Sequence, residues 1–100
     1  MPLKLFYRPS FERSLKRLDP QQISIVVRII EALNLYYSQN CDSAISKSIY
    51  PGFFYKQLRK PYYEAGIEKT IRVVIRREQS RCIAVIAGDH DQIRRFLHNE

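Results

Sequence analysis

The chain has 100 residues, 45% of them hydrophobic, and its 17 Lys and Arg against ten Asp and Glu give a formal net charge of +7. This length predicts one domain over 1–100 that can bury a core without disulfides. Cys41 and Cys82 match no metal-ligand spacing, so we expect free thiols, no metal and no cofactor. No apolar run approaches the ~18 residues of a membrane span, which predicts a cytoplasmic protein without membrane contact.

The basic surplus is rich in arginine, with 11 Arg among the 17 basic residues. The planar guanidinium group suits phosphate, so this composition favours a nucleic acid or an acidic protein as the partner. The alternative is that these residues only keep the surface soluble.

The first half of the chain predicts a strand and two helices. Residues 3–7 alternate and predict a first strand. Ser10 is expected to cap a short helix, and Asp19-Pro20 to begin a longer one over 21–37, whose apolar residues recur at spacings of three and four. Residues 38–52 show no period and predict a loop.

The second half predicts three strands in succession and a terminal helix. Alternation predicts strands at 53–59 and 70–77, joined by a turn-rich link at 60–66. The apolar run 82–87 predicts a buried third strand, and Asp89 with Gln92 has the spacing of a capping box. The fold class is therefore α+β: an N-terminal helical hairpin packed on a small antiparallel sheet, with a C-terminal helix.

One face of this sheet is expected to cover the helices, and the other to be basic and exposed. Within 70–77, apolar side chains alternate with Arg72 and Arg76, which places the two arginines together. The polar face is also expected to carry Tyr55, Gln57 and Arg59.

The corner after the last strand is the candidate site, because it delivers His90 to the first turn of a helix. Histidine can exchange a proton near neutral pH, and the helix dipole favours the neutral base. Arg72 would bind a phosphate, Asp89 or Asp91 could orient the imidazole, and Gly88 would let another group approach the backbone. The alternative is that His90 is an ordinary exposed residue and that the arginines only solvate the sheet.

Three stretches, with the order of elements, resemble the RelE/ParE superfamily of bacterial toxin–antitoxin toxins. They are Phe11-Glu-Arg-Ser-Leu-Lys-Arg-Leu18, Tyr55-Lys-Gln-Leu-Arg59 leading to Ile71-Arg-Val-Val-Ile75, and Val85-Ile-Ala-Gly-Asp-His90. The resemblance covers nearly the whole chain and rests on pattern rather than on invariant residues. In the RelE branch it implies a ribosome-dependent endoribonuclease that cuts mRNA in the decoding site without a metal, through the 2′-OH, and that a cognate antitoxin neutralises.

The resemblance also implies roles for individual residues. Arg72 resembles the family's arginine on the penultimate strand, and His90 the position that is Arg in RelE and His in the YafQ-like branch, which is favoured here. Tyr55 and Gln57 fall where RelE has two lysines, a departure that shifts the chemistry to His90. The candidate catalytic residues are His90, Arg72 and Tyr55, the last of which could stack on a base or donate a proton. The candidate RNA contacts are Gln57, Arg59, Arg76, Arg94, Arg95 and Phe96. The alternatives are that Arg94 and Arg95 only coat the last helix and that Phe96 belongs to the core.

Two alternatives stay open on the same fold. One is a ParE-like toxin that inhibits gyrase, and the other is a catalytically inactive, RNA-binding member. The combination of His90 with Arg72 favours the nuclease, since a protein that only binds does not need that pair.

Overall fold

The computed structural model describes residues 3–99, which form a five-stranded sheet with helices on both faces. The elements in chain order are β1 (Lys4–Tyr7), α1 (Pro9–Leu15), α2 (Pro20–Ser38), α3 (Ala44–Ile49), β2 (Phe54–Gln57), β3 (Tyr62–Gly66), β4 (Arg72–Arg77), β5 (Arg81–Gly88) and α4 (His90–His98). Strands β2 to β5 form an antiparallel meander, and β1 adds to β5 in parallel. The predicted α+β class is confirmed.

Two segments that were predicted to be irregular contain regular structure. The predicted link at 60–66 contains β3, so four strands follow one another rather than three. Pro61 directly before this five-residue strand and Gly66 at its end are typical turn residues, and they led to the prediction of a link. The predicted loop at 38–52 contains α3. This six-residue helix is too short to show a period, and it docks on α2 where the Ser46 hydroxyl donates to the Ala32 carbonyl.

The long helix α2 begins as predicted, whereas α1 does not. The Asp19 carboxylate accepts from the Gln22 N–H, and the Gln22 side chain accepts from the Asp19 N–H, which completes a capping box. The N-cap of α1 is Arg8 rather than Ser10, followed by a proline that suits the first helical position. The Ser10 hydroxyl instead donates to the Val85 carbonyl at 2.6 Å and ties α1 to β5.

The larger core lies between the sheet and helices α1 and α2, and we call this side of the sheet the α2 face. Val73 and Ile75 of β4 are fully buried there, as the alternation predicted. They pack in one cluster with Ile29 and Leu33 of α2. Because α2 has 19 residues, it covers the central strands on this side and buries their apolar side chains.

The opposite side, which we call the α4 face, is half covered. Ile93 of α4 is buried in a second cluster with Val74, Ile83 and Val85 of the sheet. The β4–β5 register shifts opposite Val85, which leaves that residue unpaired in a β-bulge. The expectation that this face is polar and exposed is therefore wrong beneath α4. The apolar side chains of that helix pack there against apolar side chains of the sheet.

Candidate functional site

The corner between β5 and α4 has the predicted geometry. β5 ends at Gly88, and the Asp89 carboxylate accepts from the Gln92 N–H at 2.9 Å while the Gln92 side chain accepts from the Asp89 N–H at 2.8 Å. His90 is exposed at the first position of the helix. The capping box is thus confirmed, and it occupies the Asp89 carboxylate.

The glycine at this corner serves the cap. A Cβ atom on Gly88 would lie 2.5 Å from Oε1 of Gln92. The group that lies close to the Gly88 backbone is therefore the side chain of Gln92. A side chain at position 88 would occupy the space that Gln92 needs to form the capping box.

The backbone of Arg72 lies at the same end of the strands as the corner that carries His90. It begins β4 and pairs with Gly88, the last residue of β5. Its guanidinium lies over the Phe54 ring at 5.5 Å from the centroid, on the α4 face, and Nη1 donates to Oε1 of Glu64 at 2.9 Å. The register of β4 against β5 thus brings the two predicted residues to one corner.

Glu64 of β3 is a member of this cluster that sequence reasoning missed. It is 2% exposed, and its Oε1 lies 3.1 Å from Nζ of Lys56 and 2.9 Å from Nη1 of Arg72. A buried carboxylate loses its hydration and needs such partners. The sequence did contain an indication of this ion pair, namely an acidic residue in a segment that lies between two strands with basic residues. That indication was missed because 60–66 was interpreted as a link rather than as a strand.

Tyr55 and Gln57 lie on the face opposite to the predicted one. Tyr55 pairs with Ala65, which pairs with Val73, so its side chain faces α2. The Tyr37 hydroxyl donates to the Tyr55 hydroxyl at 3.1 Å, and burial raises the Tyr55 pKa far above its ordinary value. The prediction was wrong because each of the two alternating sets of side chains on β2 contains one aromatic and one polar residue, so alternation does not show which set faces the core.

The reversal is possible because the side chains on both faces of β2 find packing partners. Phe54 packs with Arg72 and Leu58 joins the α4 cluster, whereas the Tyr55 ring stacks on Tyr63 at 5.3 Å with an interplanar angle of 14°. The sheet therefore separates Tyr55 from Arg72, and the two do not face a common substrate.

Three of the predicted RNA-contact residues meet at one groove. Arg59, Arg94 and Arg95 are among the residues that line an open groove of about 1010 Å³ between the β2–β3 turn and α4. Leu58 and Leu97 contribute apolar walls, and the Arg59 guanidinium donates to the Leu97 carbonyl. The groove is basic and runs beside α4.

Arg76 and Phe96 lie on the α4 face around Tyr62. Nη1 of Arg76 donates to the Tyr62 hydroxyl at 3.4 Å, and this hydrogen bond raises the Arg76 pKa, with a further contribution from Glu78. The Phe96 ring meets the Tyr62 ring edge-on at 6.0 Å. Phe96 thus packs beneath α4 and helps to hold the helix on the sheet.

Two arginine Nε donors on this face make no hydrogen bond among residues 3–99, although Nε of Arg76 forms an ion pair with Oε2 of Glu78 at 3.5 Å. Nε of Arg72 and Nε of Arg76 are both buried, and neither makes a hydrogen bond within the described part of the chain. A buried unsatisfied donor costs about 1–3 kcal/mol, so the α4 face holds cationic groups at the expense of stability.

Across residues 3–99, no group of three or more His, Cys, Asp or Glu side chains is placed to hold a metal ion. In the same described range, no helix combines the length and apolar character needed to cross a membrane.

Solved structures of bacterial and archaeal toxins share this fold. The RelB–RelE antitoxin–toxin complex from Methanococcus jannaschii aligns with a TM-score of 0.60 at 17% identity, over 91% of this chain and 96% of that chain. A copper-bound mutant toxin from Helicobacter pylori gives 0.58 at 19%, over 91% and 98%. The toxin–antitoxin complex RelBE2 from Mycobacterium tuberculosis gives 0.52 at 14%, over 90% and 100%.

Sequence comparison adds nothing to this likeness, since no protein-family model and no curated protein matches the chain. The shared arrangement of sheet and helices covers nine-tenths of the chain. The chain therefore has the RelE-like fold of toxin–antitoxin toxins.

Proposed function

We propose that the chain is the toxin of a toxin–antitoxin pair and that it cleaves mRNA on the ribosome without a metal ion. The observation that carries this proposal is the corner where exposed His90 begins α4 and the end of β5 pairs with Arg72. Metal-free RNA cleavage needs a group that moves a proton and a cation that stabilises the phosphate, and this corner supplies one of each.

The reaction breaks one bond of the RNA backbone and needs two proton transfers. The 2′-OH loses its proton and attacks the adjacent phosphorus, and the 5′-oxygen leaves and gains a proton. The products are a 2′,3′-cyclic phosphate and a 5′-hydroxyl. His90 carries one of the two proton transfers, and Arg72 binds the phosphate oxygens as negative charge develops on them.

The RNA backbone follows the basic groove beside α4. Arg59, Arg94 and Arg95 bind its phosphates there, while Arg76 and Phe96 support α4 through Tyr62. Each phosphate contact releases counterions, so the logarithm of the RNA affinity falls with the logarithm of salt concentration by about 0.7 per contact. Tyr55 and Gln57, which lie on the α2 face, take no part.

The protein that neutralises such a toxin is its cognate antitoxin. Two of the solved structures with this fold are toxin–antitoxin complexes. The net charge of +7 suits an acidic or amphipathic segment laid across the toxin. Because its target is the ribosome, the toxin acts in the cytoplasm.

Primer extension on mRNA in a cell-free translation reaction tests the proposal. The wild type is compared with His90→Ala and with Gln21→Ala, a control that also shortens one exposed side chain in the first turn of a capped helix, away from the groove. Discrete cuts within codons are expected from the wild type and the control but not from His90→Ala. If His90→Ala cuts like the wild type, the chemistry lies elsewhere.

An absence of cuts from the wild type would contradict the nuclease. Gyrase-linked DNA breaks on expression would then indicate the ParE-like alternative, and their absence the inactive RNA-binding one.

A further inference from the structure

A buried carboxylate lies between two cations on the α4 face, and the proposed cleavage chemistry does not use it. Glu64 is 2% exposed, whereas the side chains of Arg72 and Lys56 are 19% and 58% exposed. One oxygen of Glu64, Oε1, accepts a hydrogen bond from Nη1 of Arg72 and forms an ion pair with Nζ of Lys56. Since a buried charge is costly even when it is paired, its place beside the phosphate-binding arginine calls for a function.

The sheet register explains how one oxygen reaches both partners. Lys56 on β2 is directly opposite Glu64, while Arg72 on β4 pairs with Gly66, two residues further along β3. Gly66 leaves room on this face: a Cβ there would lie 2.7 Å from the Phe54 ring. Arg72 is consequently held between the Phe54 ring and the Glu64 carboxylate.

We propose that Glu64 is a positioning residue that holds the Arg72 guanidinium against Phe54 on the α4 face, at the end of the sheet where α4 begins, and offsets one of the two positive charges beside it. This inference rests on the proposed function, in which Arg72 binds the reacting phosphate. Glu64 does not itself take the 2′-OH proton, because its carboxylate is enclosed by the sheet and its two partners.

The inference predicts opposite effects on binding and on cleavage. Replacing Glu64 with Gln removes a negative charge near the RNA, so RNA binds as tightly as before or more tightly. The same change releases the Arg72 guanidinium from its fixed position, so the cleavage step slows. A side chain that only stabilised the fold would weaken both.

A double-mutant cycle tests whether Glu64 acts through Arg72. The variants are Glu64→Gln, Arg72→Gln and the double variant, with Glu31→Gln as a control that removes one exposed carboxylate from α2. We expect Glu64→Gln to cleave ribosome-bound mRNA roughly tenfold to a hundredfold more slowly without weaker RNA binding. In the Arg72→Gln background the same change has no further effect on cleavage.

Two results of this cycle would overturn the inference. One is wild-type cleavage by Glu64→Gln, and the other is a double variant that cleaves more slowly than Arg72→Gln alone. The second comparison holds even if Glu64→Gln does not fold, since the double variant loses both charges of the buried pair and leaves neither unpaired.

A measurement on the free protein separates this inference from the proposed function. Nε of Arg72 is buried, so its N–H proton should exchange slowly with water in nitrogen-15 NMR spectra of the wild type. In Glu64→Gln it should exchange faster, whereas the buried Nε–H of Arg76, which has other partners, should not change.

Unchanged exchange at Arg72 in Glu64→Gln would overturn the positioning role whether or not the protein cuts RNA. Loss of the Arg76 signal as well would indicate unfolding and leave the decision to the double variant. Conversely, slow exchange that depends on Glu64 in a protein that does not cut mRNA would contradict the nuclease and retain the positioning of Arg72.

Discussion

The two faces of the sheet are built from the same strands but are covered to different extents. On β4, Val73 and Ile75 point toward the 19-residue helix α2 and are fully buried, whereas Arg72 and Arg76 point toward the nine-residue helix α4 and stay partly exposed. A long helix covers most of its face, although Gln57 at the end of β2 stays exposed. A short helix leaves a margin in which charged side chains remain, and the candidate site lies in that margin.

The two faces also contribute oppositely to stability. Full burial of a Val or Ile side chain on the α2 face contributes about 1.5–3 kcal/mol. On the α4 face, Glu64 is buried with its charge, and two arginine Nε donors are buried without a hydrogen bond. The α2 face therefore stabilises the fold, and the α4 face gives up part of that stability to hold groups that can bind an anion.

The largest effect that separates the faces should come from His90→Ala. Loss of the proton-transfer group should lower cleavage about 10²–10⁴-fold. The free energy of unfolding should not change, because His90 is exposed and belongs to neither apolar cluster. Single-turnover cleavage on programmed ribosomes and urea denaturation measure the two quantities. A large loss of stability would contradict the assignment of His90 to the site alone.

The next largest effect should come from Ile75→Ala on the α2 face. Removing a fully buried Ile side chain should lower the free energy of unfolding by about 2–5 kcal/mol in urea denaturation. The matched control is Ile86→Ala, which makes the same change on the half-buried α4 face and should cost less. Equal losses at the two positions would remove the difference in coverage between the faces.

A smaller effect should come from the two capping boxes, which allow a like-for-like test. Asp89→Ala and Asp19→Ala should each lower the free energy of unfolding by about 0.5–2 kcal/mol, since each removes an N-cap. Only Asp89→Ala should also slow cleavage, because His90 follows it directly. Slower cleavage in Asp19→Ala would show that helix stability, rather than the corner, governs activity.

The smallest effect concerns pH and belongs to the α2 face. Burial raises the pKa of Tyr37 and of Tyr55 far above the ordinary value. Below about pH 10 both tyrosines are neutral in the folded and unfolded states, so their contribution to stability is complete. Above that pH the unfolded chain ionises first, and stability should fall.

Urea denaturation at pH 8 and pH 11 measures this loss, and the loss should be smaller in Tyr37→Phe because one buried phenol no longer titrates. An equal alkaline loss in the variant would show that other groups cause it.

Local patterns were sufficient for much of the fold and for part of the site. Capping chemistry located the starts of α2 and α4, and strict alternation separated Arg72 from Val73. The short connection from β5 into α4 placed His90 at a corner. These features depend on residues within a few positions of one another, so the sequence contains the whole signal.

The rest depended on contacts between distant residues. Each of the two alternating sets of side chains on β2 contains an aromatic and a polar residue, so alternation alone does not orient the strand. The side chain of Tyr55 lies on the α2 face because it contacts Tyr37 on α2 and Tyr63 on β3. The short α3 exists because Ser46 finds a carbonyl on α2. Neither contact can be read from spacing along the chain.

Local residue patterns are enough to predict the α+β order of elements, the capped helices and the corner that carries His90. Glu64 is recognised as a buried charge only in the folded sheet, because its two partners lie on the strands to either side of β3. Burial of a charge becomes tolerable only when such partners converge on it, and that convergence is a property of the assembled sheet.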